Sequence, residues 1–282
     1  MMTSAEQLGE LYRQACEVDV QAFKPGNVSV YSEGHNMTVA EFRLSAKVSS
    51  EPVCNVHYSL GEKIYYAVKA TREAVGCNTN LGIILLCAPL IQAIGYKQPG
   101  LSLRQALSQV LAATTIEDAD WVFKAITLAS PGGLGDSDRQ DVHEPASVTL
   151  FEAMRIASVK DRIALQYITD YREIFNFAVL RYNATLNKLG DRNWAAASVY
   201  ADMLSHYPDS HIERKYGNQY SEMVATKMAQ LSEELSKTDN LEQIKPLFFC
   251  LDKELKLYGI NPGTTADMTV ATVLTVFLED LN

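Results

Sequence analysis

Leu81 to Ile94 reads LGIILLCAPLIQAI, and Gln92 is its one polar side chain. A helix that is apolar nearly all round belongs inside a protein core, not on an amphipathic surface. The run is too short to cross a bilayer and carries Pro89 within it. Met268 to Leu278 is a second run of the same character. Both are expected to be buried core helices, with no membrane span.

Outward from these runs, helical periodicity dominates. Leu8, Leu11, Tyr12, Ala15 and Val18 recur at the three-to-four spacing of one helix face. Comparable patterns cover 38–48, 61–75, 80–95, 101–113, 116–129, 149–158, 161–188, 192–206, 212–236, 241–258 and 265–280. Period-two, β-branched alternation is nearly absent. The expectation is an all-α fold of about eleven helices in one domain over 1–282, with a buried central helix. Ser102, Thr115, Asp191 and Asp239 stand where helix caps belong. Pro246 predicts a kink or a late start in its helix.

The 282 residues include 25 Lys and Arg against 34 Asp and Glu, a net charge of −9. Hydrophobic residues make up 47% and charged residues 21%, an ordinary globular composition that excludes a mainly disordered chain. No basic stretch suggests a nucleic-acid partner. The opening MMTSAEQLGELYRQ lacks a basic region followed by an apolar core, so no secretory signal is read. The five cysteines show no CxxC spacing, and Cys16, Cys87 and Cys250 fall in apolar helical patterns, as reduced cysteines do. The expected location is the cytoplasm, and the Asn-X-Ser/Thr sequons carry no glycan there.

Chemistry concentrates in polar, glycine-bearing segments at helix ends, where a rigid scaffold usually presents function. The richest is Ser130 to His143, SPGGLGDSDRQDVH. Gly132, Gly133 and Gly135 permit close backbone approach to a ligand. Asp136, Asp138 and Asp141 are oxygen donors suited to Mg²⁺ bridging substrate phosphates, and His143 follows them. The spacing is not that of an EF-hand. PDSHIERK sets His211, Arg214 and Lys215 at a helix start, a candidate polyphosphate grip. KPGNVS offers Lys24, Asn27 and Ser29, and GHNM supplies His35. Asn78, Thr79 and Asn80 precede the apolar helix as either a cap or an anion site. GINPGTTAD brings Asn261, Thr264 and Asp267. The plain alternatives are solvated loops and ordinary caps. His57 and His206 lie outside these segments and are read as structural or surface residues. No GxxxxGK[ST], GxGxxG, GxSxG or HExxH occurs, which removes the P-loop, Rossmann, α/β-hydrolase and zincin readings.

Taken in order, these segments resemble the triphosphoribosyl-dephospho-coenzyme A synthase family. The matching pieces are Lys24-Pro-Gly-Asn, His35 with Met37 and Phe42, Asn78-Thr-Asn-Leu-Gly, and Pro131-Gly-Gly-Leu-Gly. Pro208-Asp-Ser-His, Arg214-Lys215 and Asn261-Pro-Gly-Thr-Thr-Ala-Asp267 complete the set. A Gly-Ala-Arg-Gly-Glu-like segment is absent after Gly135, and Asn36 follows His35 where an acid is typical. In this the chain is closer to a divergent branch from archaea and methylotrophic bacteria.

The resemblance implies an all-helical transferase. Such an enzyme moves the triphosphoribosyl group of ATP to the 2′-hydroxyl of dephospho-CoA and releases adenine. It implies ATP as substrate, Mg²⁺, phosphate contacts from Lys24, Arg214 and Lys215, and catalytic work for Asp136, Asp141, Asp267, His35 or His143. A carboxylate would face the oxocarbenium-like state and a base would take the hydroxyl proton. Two other readings stay open here. One is an enzyme of methanopterin- or methanofuran-type one-carbon cofactor synthesis acting on a phosphorylated precursor. The other is a non-catalytic nucleotide-binding member. The expected partner is a small-molecule nucleotide or cofactor precursor, and a homodimer is an open option.

Overall fold

In a computed structural model, residues 4–131, 141–238 and 240–281 are described, and fourteen α-helical segments account for most of them. The first half contains α1 (Ala5–Gln21), α2 (Val39–Cys54), α3 (Leu60–Val75), α4 (Leu81–Tyr96), α5 (Leu103–Ala112) and α6 (Ile116–Ala129). Next come α7 (Leu150–Ala157), α8 (Arg162–Ile168), α9 (Val179–Leu189) and α10 (Arg192–His206). The chain ends with α11 (Ser210–Tyr216), α12 (Ser221–Lys237), α13 (Leu241–Leu257) and α14 (Gly263–Glu279). Among the described residues there is no strand, only two isolated bridges in the loop after α1. None of these helices is long and apolar enough to cross a membrane.

The count exceeds about eleven because two long sequence patterns are broken. The pattern over 161–188 divides at Asp170 and Tyr171, both at positive φ, and resumes through a π-helical turn, Ile174–Ala178, into α9. The pattern over 212–236 divides at Gly217, with φ of 62°, and a 3₁₀ turn leads into α12. Ser102 and Thr115 form the expected caps as full capping boxes, and Asp191 caps α10. Asp239 lies outside the described residues, and Asn240 caps α13. That helix runs from Leu241 straight through Pro246, so its start is not late. All five cysteines are free; Cys16 and Cys87 are buried as expected, whereas Cys250 is exposed. His57 and His206 are exposed, in keeping with the surface role read for them.

The two apolar runs form the centre. Helix α4 packs against α14, α5 and α3, and one hydrophobic cluster takes in buried residues from α1 through α14. Ile84, Leu86 and Leu90 are fully buried. Burial of α4 creates a local problem at Pro89. Proline has no N–H, so the Leu85 carbonyl four residues earlier has lost its helical donor. The Tyr167 hydroxyl donates to that carbonyl at 2.7 Å, and the Tyr171 hydroxyl donates to the Leu86 carbonyl at 3.0 Å. The break after α8 is thus the place where two fully buried tyrosines reach across to the helix backbone.

Tyr167→Phe should therefore leave a buried carbonyl unpaired and cost about 1–3 kcal/mol in urea unfolding. In a Pro89→Ala background the restored N–H serves Leu85, and the same substitution should cost clearly less. Equal costs in both backgrounds would mean that the tyrosine acts only by packing.

Candidate active site

A cavity of about 1010 Å³ opens where the loop after α1, the starts of α2 and α4, the α6–α8 region and the starts of α11 and α14 meet. Its floor is the N-terminus of α4. Asn78 Oδ1 accepts the Leu81 N–H at 3.1 Å, so Asn78 is the cap, while Asn80 makes no cap bond. Instead the Asn80 amide donates to Ser49 Oγ at 3.3 Å, and Thr79 and Ser45 share a hydrogen bond of 2.6 Å. The segment is fastened to α2 while Asn78, Thr79 and Asn80 all line the cavity.

Asp267, in the second turn of α14, reaches over this floor. A Cβ placed on Gly82 would lie 2.0 Å from Asp267 Oδ2, so only glycine lets the carboxylate come this close. Among the described residues Asp267 has no hydrogen-bond partner. Burial pushes its pKa well above the usual carboxylate range; nearby Asp19 and Asp209 push the same way, and Lys24 and Arg214 only partly oppose them.

Asp209 fixes the two helices that frame this corner. Its Oδ1 accepts the His211 and Ile212 N–H groups of α11. Its Oδ2 accepts the Thr265 N–H at 2.7 Å and the Thr265 hydroxyl at 2.8 Å, both from the first turn of α14. The His211 ring consequently sits against Gly263, where an added Cβ would be 3.2 Å from Nδ1.

The loop after α1 is built on a buried polar chain. Asp19 and Lys24 form an ion pair of 2.5 Å, at 3% and 0% side-chain exposure. Lys24 also donates to Asn27 Oδ1 at 3.1 Å, and the Asn27 amide donates to Asn261 Oδ1 at 2.8 Å. Gly26, with φ of 84°, donates to Asp252 at 2.8 Å and leaves its carbonyl for His35 Nε2, also at 2.8 Å. An added Cβ on Gly26 would press on Leu255 and on the Ile260 carbonyl at 3.0–3.1 Å.

His35 and Asn36 both have positive φ, in a tight turn closed by Met37 N–H to Gly34 O at 3.0 Å. A histidine held in that region carries local strain. Because a carbonyl only accepts, Nε2 carries the proton and Nδ1 keeps a free lone pair. Burial lowers the His35 pKa below its ordinary value; the Gly26 carbonyl opposes this, and Lys256 and Lys215 reinforce it. His211 is lowered too, by burial first, with Asp209 opposing and Arg214 and Lys215 reinforcing. Both rings are neutral bases at pH 7.

Lys160, Arg214 and Lys215 stand on the wall as cations. Arg214 is braced by Asp161 at 2.5 Å, and Asp161 in turn caps α8.

The family model for ATP:dephospho-CoA triphosphoribosyl transferases (CitG) matches residues 5–282. The chain belongs to this family. It is thus a transferase that uses ATP as donor of the triphosphoribosyl group, and neither the one-carbon-cofactor reading nor the non-catalytic reading gains support. The fold is shared with a crystal structure from Archaeoglobus fulgidus, provisionally described as a triphosphoribosyl-dephospho-coA synthase. The two are 22% identical with a TM-score of 0.65, over 86% of this chain and all of the other. No curated protein sequence matches the chain.

Of the residues singled out in the sequence, Asn27, His35, Asn78, Thr79, Asn80, Asp141, His211, Arg214, Lys215, Asn261, Thr264 and Asp267 line the cavity of this family member. Gly132, Gly133, Gly135, Asp136 and Asp138 lie outside the described residues. Three placements differ from expectation. Lys24 is turned inward to Asp19 and is not part of the wall. Ser29 is fully buried behind the loop. His143 is exposed away from the cavity, its N–H held by Asp141 Oδ1 at 2.9 Å.

Asp19, Lys160 and Asp161 were not singled out. For Asp19 a signal exists: it continues the stripe Leu8, Tyr12, Ala15 at helical spacing, a carboxylate where the pattern asks for an apolar residue. Lys160 and Asp161 lie in an ordinary charged turn between α7 and α8 and carry no such mark.

Two predictions follow from these charges. Lys24→Met removes one half of a buried pair and should destabilise by about 3–5 kcal/mol, measured by chemical unfolding, while ATP affinity of the folded protein is retained. A selective loss of ATP affinity without destabilisation would return Lys24 to the phosphate site. Asp267 has a folded pKa above its unfolded value, so it favours the unfolded state progressively as pH rises above the ordinary carboxylate pKa. Asp267→Asn should therefore raise the melting temperature, and by more at pH 8 than at pH 5. An equal or reversed effect would show that the carboxylate is stabilised in place.

Proposed function

We propose that this cavity carries out triphosphoribosyl transfer from ATP to the 2′-hydroxyl of dephospho-CoA, in the cytoplasm. The observation that carries the assignment of roles is the convergence of a neutral His35, an unpartnered Asp267 and the cations Lys160, Arg214 and Lys215 on one cavity.

The cations hold the triphosphate, Arg214 in the geometry that Asp161 sets. His35 Nδ1 takes the proton of the acceptor hydroxyl, because its other nitrogen is committed to Gly26. Asp267, held protonated by burial, delivers its proton to the departing adenine and then faces the oxocarbenium-like ribose as a carboxylate. The glycosidic C–N bond breaks, the new C–O bond forms at the same carbon, and the two protons balance. Asn27, Asn261, Thr264 and His211 position the sugars by hydrogen bonds.

A magnesium ion would be held here by substrate phosphates together with Asp141 on the wall, an oxygen donor of the kind Mg²⁺ takes. When bound it would neutralise triphosphate charge.

Incubation with ATP, Mg²⁺ and dephospho-CoA should release free adenine and yield a product heavier by the triphosphoribosyl group, read by mass spectrometry. His35→Ala and Asp267→Asn should each lower the rate about 10²–10⁴-fold. His35→Ala should do so with ATP binding intact by calorimetry. Wild-type protein that consumes no ATP with this acceptor would overturn the reading.

A further inference from the structure

The cavity has two unlike halves. The polar half holds the residues assigned above. The other half is the facing surface of α6 and α7 with the turn that follows, and its wall is apolar: Phe123 and Ile126 from α6, Met154 and Ile156 from α7, then Val159. Val159 is 87% exposed and Ile156 38%, both at the cavity and in a chain of net charge −9. Large apolar side chains left open on a cavity rim mark a contact surface for a ligand.

The size of the cavity points the same way. At about 1010 Å³ it stands at the top of the roughly 300–1,000 Å³ range of clefts that enclose one drug-sized molecule. One triphosphate nucleotide gives no reason for an apolar wall of this extent, because its base is one flat ring system and the rest is polar.

We infer that the α6–α7 wall, with Ile156 and Val159 at its rim, is the subsite for the uncharged pantetheine arm of the acceptor, and so determines acceptor specificity. The inference rests on the transfer reaction proposed above. Dephospho-CoA divides as the cavity does. Its adenosine diphosphate part is charged and suits the polar half. Its arm is long and uncharged, with a gem-dimethyl group and methylene links between amides. Lys160 and Asp161 follow Val159 directly, so an arm lying along α7 joins the phosphate-binding wall without crossing an uncompensated charge. ADP carries the same ribose and lacks the arm, which makes it the matching truncated acceptor.

The test compares dephospho-CoA with ADP as acceptors and as ligands, in wild type, Val159→Asp and Ile156→Asp. Val159 is exposed, so that variant retains its fold, and circular dichroism checks both. Wild type should bind dephospho-CoA at least about ten-fold more tightly than ADP by calorimetry, and each variant should erase most of that difference. In turnover, KM for dephospho-CoA should rise about ten-fold. KM for ATP and the rate with ADP should stay within two-fold. Equal binding of the two ligands by wild type, or variants that weaken both acceptors alike, would overturn the inference. If wild type transfers nothing but still prefers dephospho-CoA through Ile156 and Val159, the reaction assignment fails and the subsite stands.

Discussion

The carboxylate of Asp209 is the constraint on which the site depends. One buried side chain closes the N-termini of two helices, accepting two backbone N–H groups from α11 and an N–H and a hydroxyl from α14. Helix N-termini leave donors unsatisfied and carry partial positive charge, so a carboxylate placed between two of them is favoured twice. The consequence is positional. His211, Arg214 and Lys215 ride on α11, and Thr264 and Asp267 ride on α14, so the relative placement of the cations and the candidate acid follows from this bond network. Asp209 itself does not line the cavity.

Helix α4 supplies the second constraint. Its apolar circumference pins it in the core, which brings its N-terminus, with Asn78, Thr79 and Asn80, to the cavity floor. Asp267 lies against this floor at Gly82, where no larger residue would fit beside its carboxylate. The tyrosines that satisfy the Leu85 and Leu86 carbonyls hold the middle of the same helix in place.

Periodicity carried the helices and the central position of α4, because both follow from which faces are apolar. It did not carry the breaks at Asp170–Tyr171 and Gly217, where Tyr171 pairs across to another helix and Gly217 takes a left-handed turn inside a pattern that reads as continuous. The polar segments that line the cavity were legible as segments, since they carry histidine, lysine, arginine and aspartate beside the glycine and asparagine that capping alone would explain. The direction of each side chain was not. Lys24 and Asn27 are three residues apart and look alike as phosphate ligands, yet one ends in an internal ion pair and the other reaches the wall. What decides between them is Asp19, a residue on a different face of the problem, legible only as an acid interrupting the apolar stripe of α1.

An acidic protein that handles a triphosphate must concentrate its few cations and spend its acids elsewhere. The arrangement found does so by pairing. Asp161 is tied to Arg214 and to the α8 cap, Asp209 to two helix starts, Asp19 to Lys24, and Asp252 to Gly26 and Lys256. These four acids are thus each matched by a cation or by oriented N–H groups. Asp267 has no such partner among the described residues, and desolvation raises its pKa, which favours the uncharged form. The cavity can therefore accept a polyanion despite the net charge of −9. Potential at a site is set by the groups within a Debye length and their screening, not by the sum over the chain. The halves of the cavity divide in the same way: Arg214, Lys215 and Asp267 stand on the α11–α14 side, and the α6–α7 side presents Phe123, Ile126, Met154 and Ile156, where the proposed uncharged arm would meet no charge.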